Sequence, residues 1–513
     1  MPENIDDVHR SARANRLKPN AVGLVGVAFM AIATAAPITA ITSNLPIMAG
    51  LGTGVGSPAG FLIATLVLSI FSVGFVAISR HITTAGAFYG FISRGLGRVF
   101  GLGSGLLITM SYMVFEAVMV ALFGVFAKET VAAQLGIDAP WWVYGFFLVA
   151  VIGILTYFEI EFTAKVLGVA LVAEILILGG IAVAVLLNGG GPDGIPMAPL
   201  NPADAFAGPS VGLGLFFAFW CWVGFESTAL YGEESKNPRR TIPIATFIVV
   251  IGVGLFYAFV SWMIMSGNGI EQSIALAGSS DPFETVFAPA REYLGDWSVV
   301  IFRWLLLTGT FACGMAFHNC AARYLYALGR ERILPGALGR THPRHGSPWS
   351  ASLFQSAAVV IITLCFLISG LDPYVGQYTL LAILGTMGIL VIQTICSIAV
   401  IAYFWRNPDK RPNILVWLVA PAIGAAAMVG VVLLLVVNMD TAAGGPAAST
   451  LLFRLIPWIV GTVFLLGCLI ALRLRSVAPE RYALIGHLGA ASPEEPTPAT
   501  IRRADALDPD PVG

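Results

Sequence analysis

The chain contains many uninterrupted apolar stretches of about twenty residues, the length that an α-helix needs to cross the hydrocarbon core of a membrane. Residues 357–368 are apolar on nearly every helical face, which is not expected of an amphipathic helix in a soluble protein. Backbone polar groups in lipid must be satisfied internally, so only helices or closed barrels span a bilayer. Because the apolar runs do not alternate with period two, they predict an all-α polytopic membrane protein.

Windows of about twenty residues predict about twelve membrane-spanning helices. The predicted spans are 21–49, 58–79, 100–127, 141–157, 165–187, 211–231, 242–266, 297–325, 349–369, 376–404, 413–437 and 452–473. They form one transmembrane domain over residues 21–475, preceded by a short tail over 1–20. The proline-rich segment 476–513 has the composition of a disordered tail.

The composition fits a lipid environment and excludes several other classes. Of 513 residues, 57% are hydrophobic and 11% are charged, whereas about a quarter of the residues in soluble proteins are charged. A net charge of −1 gives no basic field for nucleic acid. The six cysteines all lie in predicted spans without a C-x-x-C pair, so we expect no disulfide framework, no metal site and no cofactor.

Lysine and arginine are distributed unequally between the predicted loops, which sets the orientation. One set of alternate loops carries only Lys128 and Arg291. The other set carries Arg80, Arg94, Arg98, Lys165, Lys236, Arg239, Arg240, Arg330, Arg332, Arg340, Arg344, Arg406, Lys410 and Arg411. Because cytoplasmic loops are the basic ones, we expect a multi-pass protein of the cell membrane with both termini in the cytoplasm.

Two predicted spans are interrupted near their middles. The first contains Pro37, which removes a backbone donor and clashes with the preceding turn. The sixth contains Gly224 and Glu226 at a similar depth. Paired interruptions at equivalent positions of two halves indicate the substrate site of a secondary transporter. We therefore expect residues 34–37 and 223–227 to be non-helical and to meet near the centre of the bundle.

Three motifs resemble those of the amino acid–polyamine–organocation family of permeases. The segment 224–243, GFESTALYGEESKNPRRTIP, resembles the sixth helix and following loop of that family. The segment 84–97, TAGAFYGFISRGLG, is similar to its loop between helices two and three. The segment 322–335, ARYLYALGRERILP, is similar to the end of its helix eight. The motifs lie in the family's order, and the resemblance covers approximately residues 15–475.

The resemblance implies a five-plus-five inverted repeat with broken helices 1 and 6, two further helices, and alternating access between them. The substrate is then expected to be an amino acid. The implied substrate-binding residues are Thr34, Ala35, Ala36, Pro37, Trp220, Gly224, Phe225 and Glu226. Trp220 precedes Glu226 by six residues, as does the gate tryptophan of the family's arginine/agmatine exchangers.

The first break also departs from the family pattern. A Gly-Ser-Gly-like stretch usually marks that break, whereas this chain has Thr-Ala-Ala-Pro over residues 34–37. In this respect the chain looks like the branch that includes putrescine importers, so import of a polyamine is the alternative.

Charged residues inside the spans are candidates for coupling transport to protons, because a carboxylate at membrane depth is unfavourable unless it is paired or protonated. Glu174 in span five lies where a proton-coupled family member uses a lysine, near the sodium position of related transporters. Glu226 is the second candidate. Glu116 and His318 also lie inside predicted spans, but structural roles account for these two residues equally well.

Two further classes of membrane protein are alternatives to a transporter. A membrane-embedded enzyme would need a metal cluster or a nucleophile with its base, and no span contains H-x-x-x-H, an Asp-rich cluster or G-x-S-x-G. A nutrient sensor on a transporter scaffold usually carries a large soluble domain, for which the predicted tails are too short. We therefore predict proton-coupled symport or exchange and no enzymatic activity.

Overall fold

The computed structural model describes residues 22–82, 86–158, 162–230, 235–343, 346–437 and 450–486. At 158 and 162–167 it describes the backbone only. Within the described residues, ten helices are long and apolar enough to cross a membrane, and two shorter apolar helices occupy predicted spans four and six. Together they account for the twelve spans and confirm the polytopic helical fold.

We label the spans α1–α12 and give the halves of the two interrupted spans the letters a and b. They are α1a (Leu24–Ala35), α1b (Pro37–Leu51), α2 (Ser57–Ser79), α3 (Arg98–Leu135), α4 (Trp141–Phe158), α5 (Phe162–Leu187), α6a (Val211–Trp220), α6b (Ser227–Leu230), α7 (Pro238–Asn268), α8 (Asp296–Arg330), α9 (Trp349–Ser369), α10 (Pro373–Arg406), α11 (Leu415–Val437) and α12 (Leu451–Val477). Short helices outside the spans are Ala87–Gly95, Pro202–Phe206, Ile270–Ala277, Glu284–Leu294 and Pro479–Leu484.

Helices α3 and α8 are longer than their predicted spans. They have 38 and 35 residues, so at about 1.5 Å per residue each exceeds the thickness of the hydrocarbon core. The two helices are also paired near the end of α3, where Arg303 Nη1 of α8 lies 3.6 Å from Glu129 Oε2. The pair provides a long wall against which the broken helices pack.

Small residues allow some of the spans to approach closely. A Cβ atom added to Gly467 of α12 would lie 2.7 Å from the Cα atom of Gly103 in α3. Such contacts are typical of helix pairs in lipid, where packing at short distance replaces the hydrophobic drive that water provides.

The predicted basic loops come together at one end of the bundle. His81, just after α2, is partly buried, and that burial lowers its pKa, with Lys410, Arg239 and Arg80 lowering it further. These cations come from three loops that the sequence placed on one side. At the opposite end, Arg291 pairs with Glu284 at 3.0 Å. These basic loops therefore lie at one end of the bundle and the segment with Arg291 lies at the other, as the distribution of lysine and arginine predicts.

The ordered chain continues past residue 475 on the basic side. Helix α12 ends at Val477 and is followed by the short helix Pro479–Leu484. The backbone N–H of Gly486 donates to Glu331 Oε1 and to the Tyr89 hydroxyl, both at 3.0 Å, and this hydroxyl donates to Glu331 Oε2. The buried Glu331 carboxylate thus holds the end of α8, the helix Ala87–Gly95 and the C-terminal segment together. Segments 1–21 and 487–513 of the predicted tails lie outside the described residues.

This network gives a test of the fold. Substituting Glu331→Ala removes the acceptor shared by Tyr89 and Gly486, and each lost bond to a charged group is worth about 1.5–3 kcal/mol. We expect amide hydrogen exchange over residues 479–486 to become at least about tenfold faster. Glu480→Ala, at an exposed position of the same segment, is the control and should change nothing. Unchanged exchange in Glu331→Ala would mean that this carboxylate does not hold the segment.

Candidate functional site

The first span is broken at a single residue. Helix α1a ends at Ala35, and Ala36 is left-handed with φ 43° and ψ 72° before Pro37 begins α1b. Thr34 and Ala35 are helical, so the predicted non-helical stretch 34–37 was too wide. The reason is that proline is well suited to the first position of a helix, where its missing N–H has no partner to lose. Ala36 itself still donates its N–H to Ile32 at 3.0 Å.

The sixth span is broken over six residues. Helix α6a ends at Trp220, residues 221–226 form successive turns, and α6b begins at Ser227. The break therefore starts two residues earlier than predicted and stops before Ser227. Gly224 has φ +103°, and a Cβ atom there would lie 2.1 Å from Thr34 Cγ2. Only glycine permits both this backbone conformation and this approach, so the break in α6 touches the last turn of α1a, next to the break at Ala36.

Glu226 satisfies the backbone of its own break. Its Oε2 atom accepts the Gly224 N–H at 3.1 Å, and its Oε1 atom accepts the hydroxyl of Tyr112 from α3 at 2.7 Å. The carboxylate is fully buried. It therefore ties the unwound part of α6 to α3, and both of its oxygens have partners.

The carbonyls freed at the end of α1a are taken by neighbouring helices. The Ala35 carbonyl accepts the Tyr257 hydroxyl of α7 at 2.8 Å, and the Thr34 carbonyl accepts the Cys313 thiol of α8 at 3.1 Å. Sequence reasoning missed both donors. A tyrosine inside an apolar span needs a polar partner, and this was the available signal for Tyr257 and for Tyr112.

The start of α1b differs because its first N–H groups have no hydrogen-bond partner in the described part of the chain. The first intrahelical bond runs from Ala40 N–H to the Ala36 carbonyl at 2.8 Å. The N–H groups of Ile38 and Thr39 lie before it, and Ala36 has no side chain that could cap them. This helix end points two donors and a positive dipole end at the break, which suits an anionic group.

Trp220 lies in an aromatic layer beside the breaks. Its ring stacks on Phe317 with 5.8 Å between centroids and lies 4.6 Å from Phe115. Its Nε1–H donates to the Tyr378 hydroxyl at 3.2 Å, which in turn donates to Asn44 Oδ1 at 2.5 Å. The tryptophan thus joins α6a to α3, α8, α10 and α1b at one level.

A cavity of about 380 Å³ lies on the other side of this layer, at the end of the bundle that carries Glu129. Its walls are mainly apolar and include Ile47 and Phe283. Tyr374 lines the cavity and stacks on Tyr378 with 5.3 Å between centroids. The tyrosine pair therefore separates the cavity from Trp220 and the breaks.

Glu174 has a different environment from Glu226. It is 1% exposed, and its Oε2 atom has no hydrogen-bond partner in the described part of the chain. On α8, a Cβ atom added to Gly309 would lie 3.0 Å from each carboxylate oxygen and 2.9 Å from Ile38 Cγ2. The Glu174 carboxyl group, whose Oε2 atom has no partner among the described residues, therefore lies between α5, α8 and the start of α1b.

Two further candidates, Phe225 and Glu116, do not take part in the contact between α1a and the break in α6, although Phe225 lies within that break. Phe225 packs edge-on against Phe71 and Phe75 of α2 and belongs to the core. Glu116 bonds His318 on the far side of the aromatic layer. The structure thus brings Thr34, Gly224 and Glu226 together, with Trp220 as their neighbour.

Comparison with known proteins identifies the family. The branched-chain amino acid permease BcaP of Bacillus subtilis is 24% identical over 72% of this chain and 78% of its own length. The low-affinity putrescine importer PlaP of Escherichia coli is 21% identical over 76% of this chain and 82% of its own. Cationic amino acid transporter 5 of Arabidopsis thaliana is 24% identical over 43% of this chain and 35% of its own. A sequence profile of the family described as amino acid permease matches residues 22–472, and the chain therefore belongs to the amino acid permease family.

Proposed function

We propose that this protein is a secondary active transporter that carries an amino acid across the membrane by alternating access. The observation that carries the proposal is the contact of the two broken helices, Gly224 against Thr34, beside two unbonded N–H groups at the start of α1b. Irregular backbone at membrane depth is tolerated where it lines a binding site. The similarity to amino acid permeases and to a putrescine importer supports transport of amino acids or amines.

Substrate recognition follows from the polarity of the breaks. The carboxylate of an amino acid would accept the N–H groups of Ile38 and Thr39, at the positive end of α1b. Its ammonium group would bind carbonyls in the unwound part of α6, with the segment 34–37 as the opposite wall. Trp220 would cover the substrate side chain, since its ring already lies beside the breaks.

We infer that Glu174 couples transport to protons. Both oxygens of Glu226 are bonded to groups that maintain its break, whereas Glu174 Oε2 has no partner in the described residues. A carboxyl group can carry a proton across only if its contact with solvent changes between the two states. Glu174 adjoins α1b near Ile38, so movement of the broken helix would change that contact. Glu226 is the alternative coupling group.

The orientation is part of the same proposal. The basic loops that meet around His81 would face the cytoplasm, and the cavity near Glu129 would open to the outside. Both termini are then cytoplasmic, and the cell membrane is the expected location. Residues 21–475 would form the transport domain.

Import of a polyamine is the second candidate function, because PlaP matches over most of both chains and the first break lacks the usual glycines. A polyamine has no carboxylate for the start of α1b. A third reading, a sensor on a transporter scaffold, predicts binding without movement. Uptake into proteoliposomes of purified protein separates it from both transporters.

The substrate class can be tested with matched pairs. Ornithine and putrescine, like leucine and isoamylamine, differ only in the carboxylate. If N–H groups of α1b bind that carboxylate, the member of a pair that carries it should compete for uptake at least about tenfold better. Equal or better competition by putrescine would replace the amino acid proposal with the polyamine one.

Trp220→Ala should raise the half-saturation concentration for uptake at least about fivefold, because the aromatic cover of the substrate is lost. Trp458→Ala is the matched control, since Trp458 is 74% exposed on α12. The measurement is initial uptake against substrate concentration in proteoliposomes. An unchanged half-saturation concentration in Trp220→Ala would exclude Trp220 from the substrate site.

Glu174→Gln should leave exchange of internal for external substrate largely intact and abolish accumulation driven by an imposed pH gradient. The amide has nearly the same shape but carries no exchangeable carboxyl proton. Glu284→Gln, at an outer surface helix, is the control and should accumulate substrate normally. Normal pH-driven accumulation by Glu174→Gln would remove it as the coupling group. A wild type that requires sodium, or ignores both gradients, would contradict proton coupling itself.

A further inference from the structure

A fully buried polar cluster lies behind the aromatic layer, and the proposed transport cycle does not use it. Glu116 Oε2 contacts His318 Nδ1 at 2.9 Å and accepts Gln355 Nε2 at 2.7 Å. His318 Nε2 contacts Ser352 Oγ at 2.7 Å, and that hydroxyl lies 2.9 Å from Thr156 Oγ1. These residues come from α3, α8, α9 and α4. Glu116 and His318 are both 0% exposed.

If each contact in this cluster is a hydrogen bond, the number of hydrogens available limits the charge of the pair. Four contacts in series need one hydrogen each: Oε2 to Nδ1, Nε2 to Ser352, Ser352 to Thr156, and Thr156 to the Ile152 carbonyl at 2.7 Å. The two hydroxyls supply two hydrogens. Glu116 and His318 must supply the other two, either as imidazolium with carboxylate or as imidazole with carboxylic acid. In both cases the pair is neutral overall, which avoids the large penalty of an unpaired buried charge.

The pair is adjacent in sequence to the rings that enclose Trp220. Phe115 precedes Glu116 on α3, Phe317 precedes His318 on α8, and their ring centroids are 5.2 Å apart. Further along the same seam, Tyr112 stacks on Tyr324 with centroids 5.7 Å apart. The separation of α3 and α8 at this level therefore sets the spacing of the rings.

Phe115 has no freedom to shift away from this position. On the α10 side, a Cβ atom added to Gly385 would lie 2.1 Å from Phe115 Cε1. On the other side, its ring meets Trp220 and Phe317. Its location thus depends on where α3 stands relative to α8, and the Glu116–His318 bond is a polar link between these helices directly next to Phe115 and Phe317 in sequence.

We propose that the Glu116–His318 pair is a positioning element that fixes the spacing of Phe115 and Phe317 around Trp220, and thereby the affinity and side-chain selectivity of the substrate site. The pair does not touch the substrate. The inference rests on the proposed function in one respect, that Trp220 covers the substrate. It assigns a positioning role to two residues whose roles remained open in the sequence analysis.

The test compares a broken pair with a neutral replacement. His318→Leu leaves the Glu116 carboxylate without its histidine partner on α8. We therefore expect the half-saturation concentration for uptake to rise at least about fivefold, with a smaller change in maximal rate. Competition by amino acids with large and small side chains should become less selective. In Glu116→Gln/His318→Asn, an amide donor near the Nδ1 position faces an amide acceptor. This uncharged pair should restore the half-saturation concentration to within about twofold of wild type.

The control is Arg303→Gln, which removes the other ion pair between α3 and α8, at Glu129 and away from the aromatic rings. It should leave half-saturation and selectivity unchanged. A His318→Leu protein with unchanged half-saturation and selectivity overturns the proposal, as does an equal effect of Arg303→Gln. If His318→Leu does not fold, Ser352→Ala decides, because it removes the hydroxyl that contacts His318 Nε2 and Thr156 Oγ1 while leaving the Glu116 and His318 side chains in place. An increase of about twofold or more in half-saturation supports the role, and no increase overturns it.

A readout that needs no transport keeps this test separate from the proposed function. Cys320 of α8 is 1% exposed on the same seam, whereas Cys365 is exposed. Opening of the seam in His318→Leu, or in Ser352→Ala if the former does not fold, should raise maleimide labelling of Cys320 relative to Cys365 at least about fivefold. Arg303→Gln should not raise it. If the wild type moves no amino acid or amine, the proposed function fails, while this ratio still decides whether the pair holds the two helices together.

Discussion

Every backbone polar group at membrane depth must find a partner, and the arrangement around the two broken helices follows from that constraint. Breaking α1 and α6 frees carbonyls and N–H groups where no water is available to satisfy them. Tyr257 and Cys313 donate to the carbonyls at the end of α1a, and Glu226 accepts the Gly224 N–H. The N–H groups of Ile38 and Thr39 at the start of α1b have no hydrogen-bond partner among the described residues. This helix end is therefore where the proposed substrate carboxylate would bind.

The buried carboxylates show how position decides the role of one residue type. Glu226 has both oxygens bonded and supports a backbone break. Glu116 faces a histidine and an amide. Glu174 is the one of the three that faces a glycine and an apolar side chain. This difference in surroundings supports the proposal that Glu174 couples transport to protons.

Helix α3 connects these features along one face. Tyr112 reaches Glu226 at the break, Phe115 meets Trp220, and Glu116 bonds His318 on α8. The three lie within about one turn and a half of helix, at about 1.5 Å of rise per residue. All three residues belong to the long α3–α8 wall. This wall therefore links the break in α6, the aromatic layer around Trp220 and the proposed positioning pair.

The sequence by itself determined the class of fold, the number of spans, the separation of basic loops and the two interrupted spans, because length, apolarity, charge and proline act locally along the chain. It also identified the family through three motifs. It set the widths of the breaks incorrectly, since the helical state of Thr34 and the turn at Cys221 depend on bonds and packing around them. It named Trp220, Glu174 and Glu226 without distinguishing their environments. Only the tertiary structure decided which oxygen has a partner, which ring packs on Trp220 and which tyrosine satisfies a broken helix, because those contacts join residues far apart in sequence.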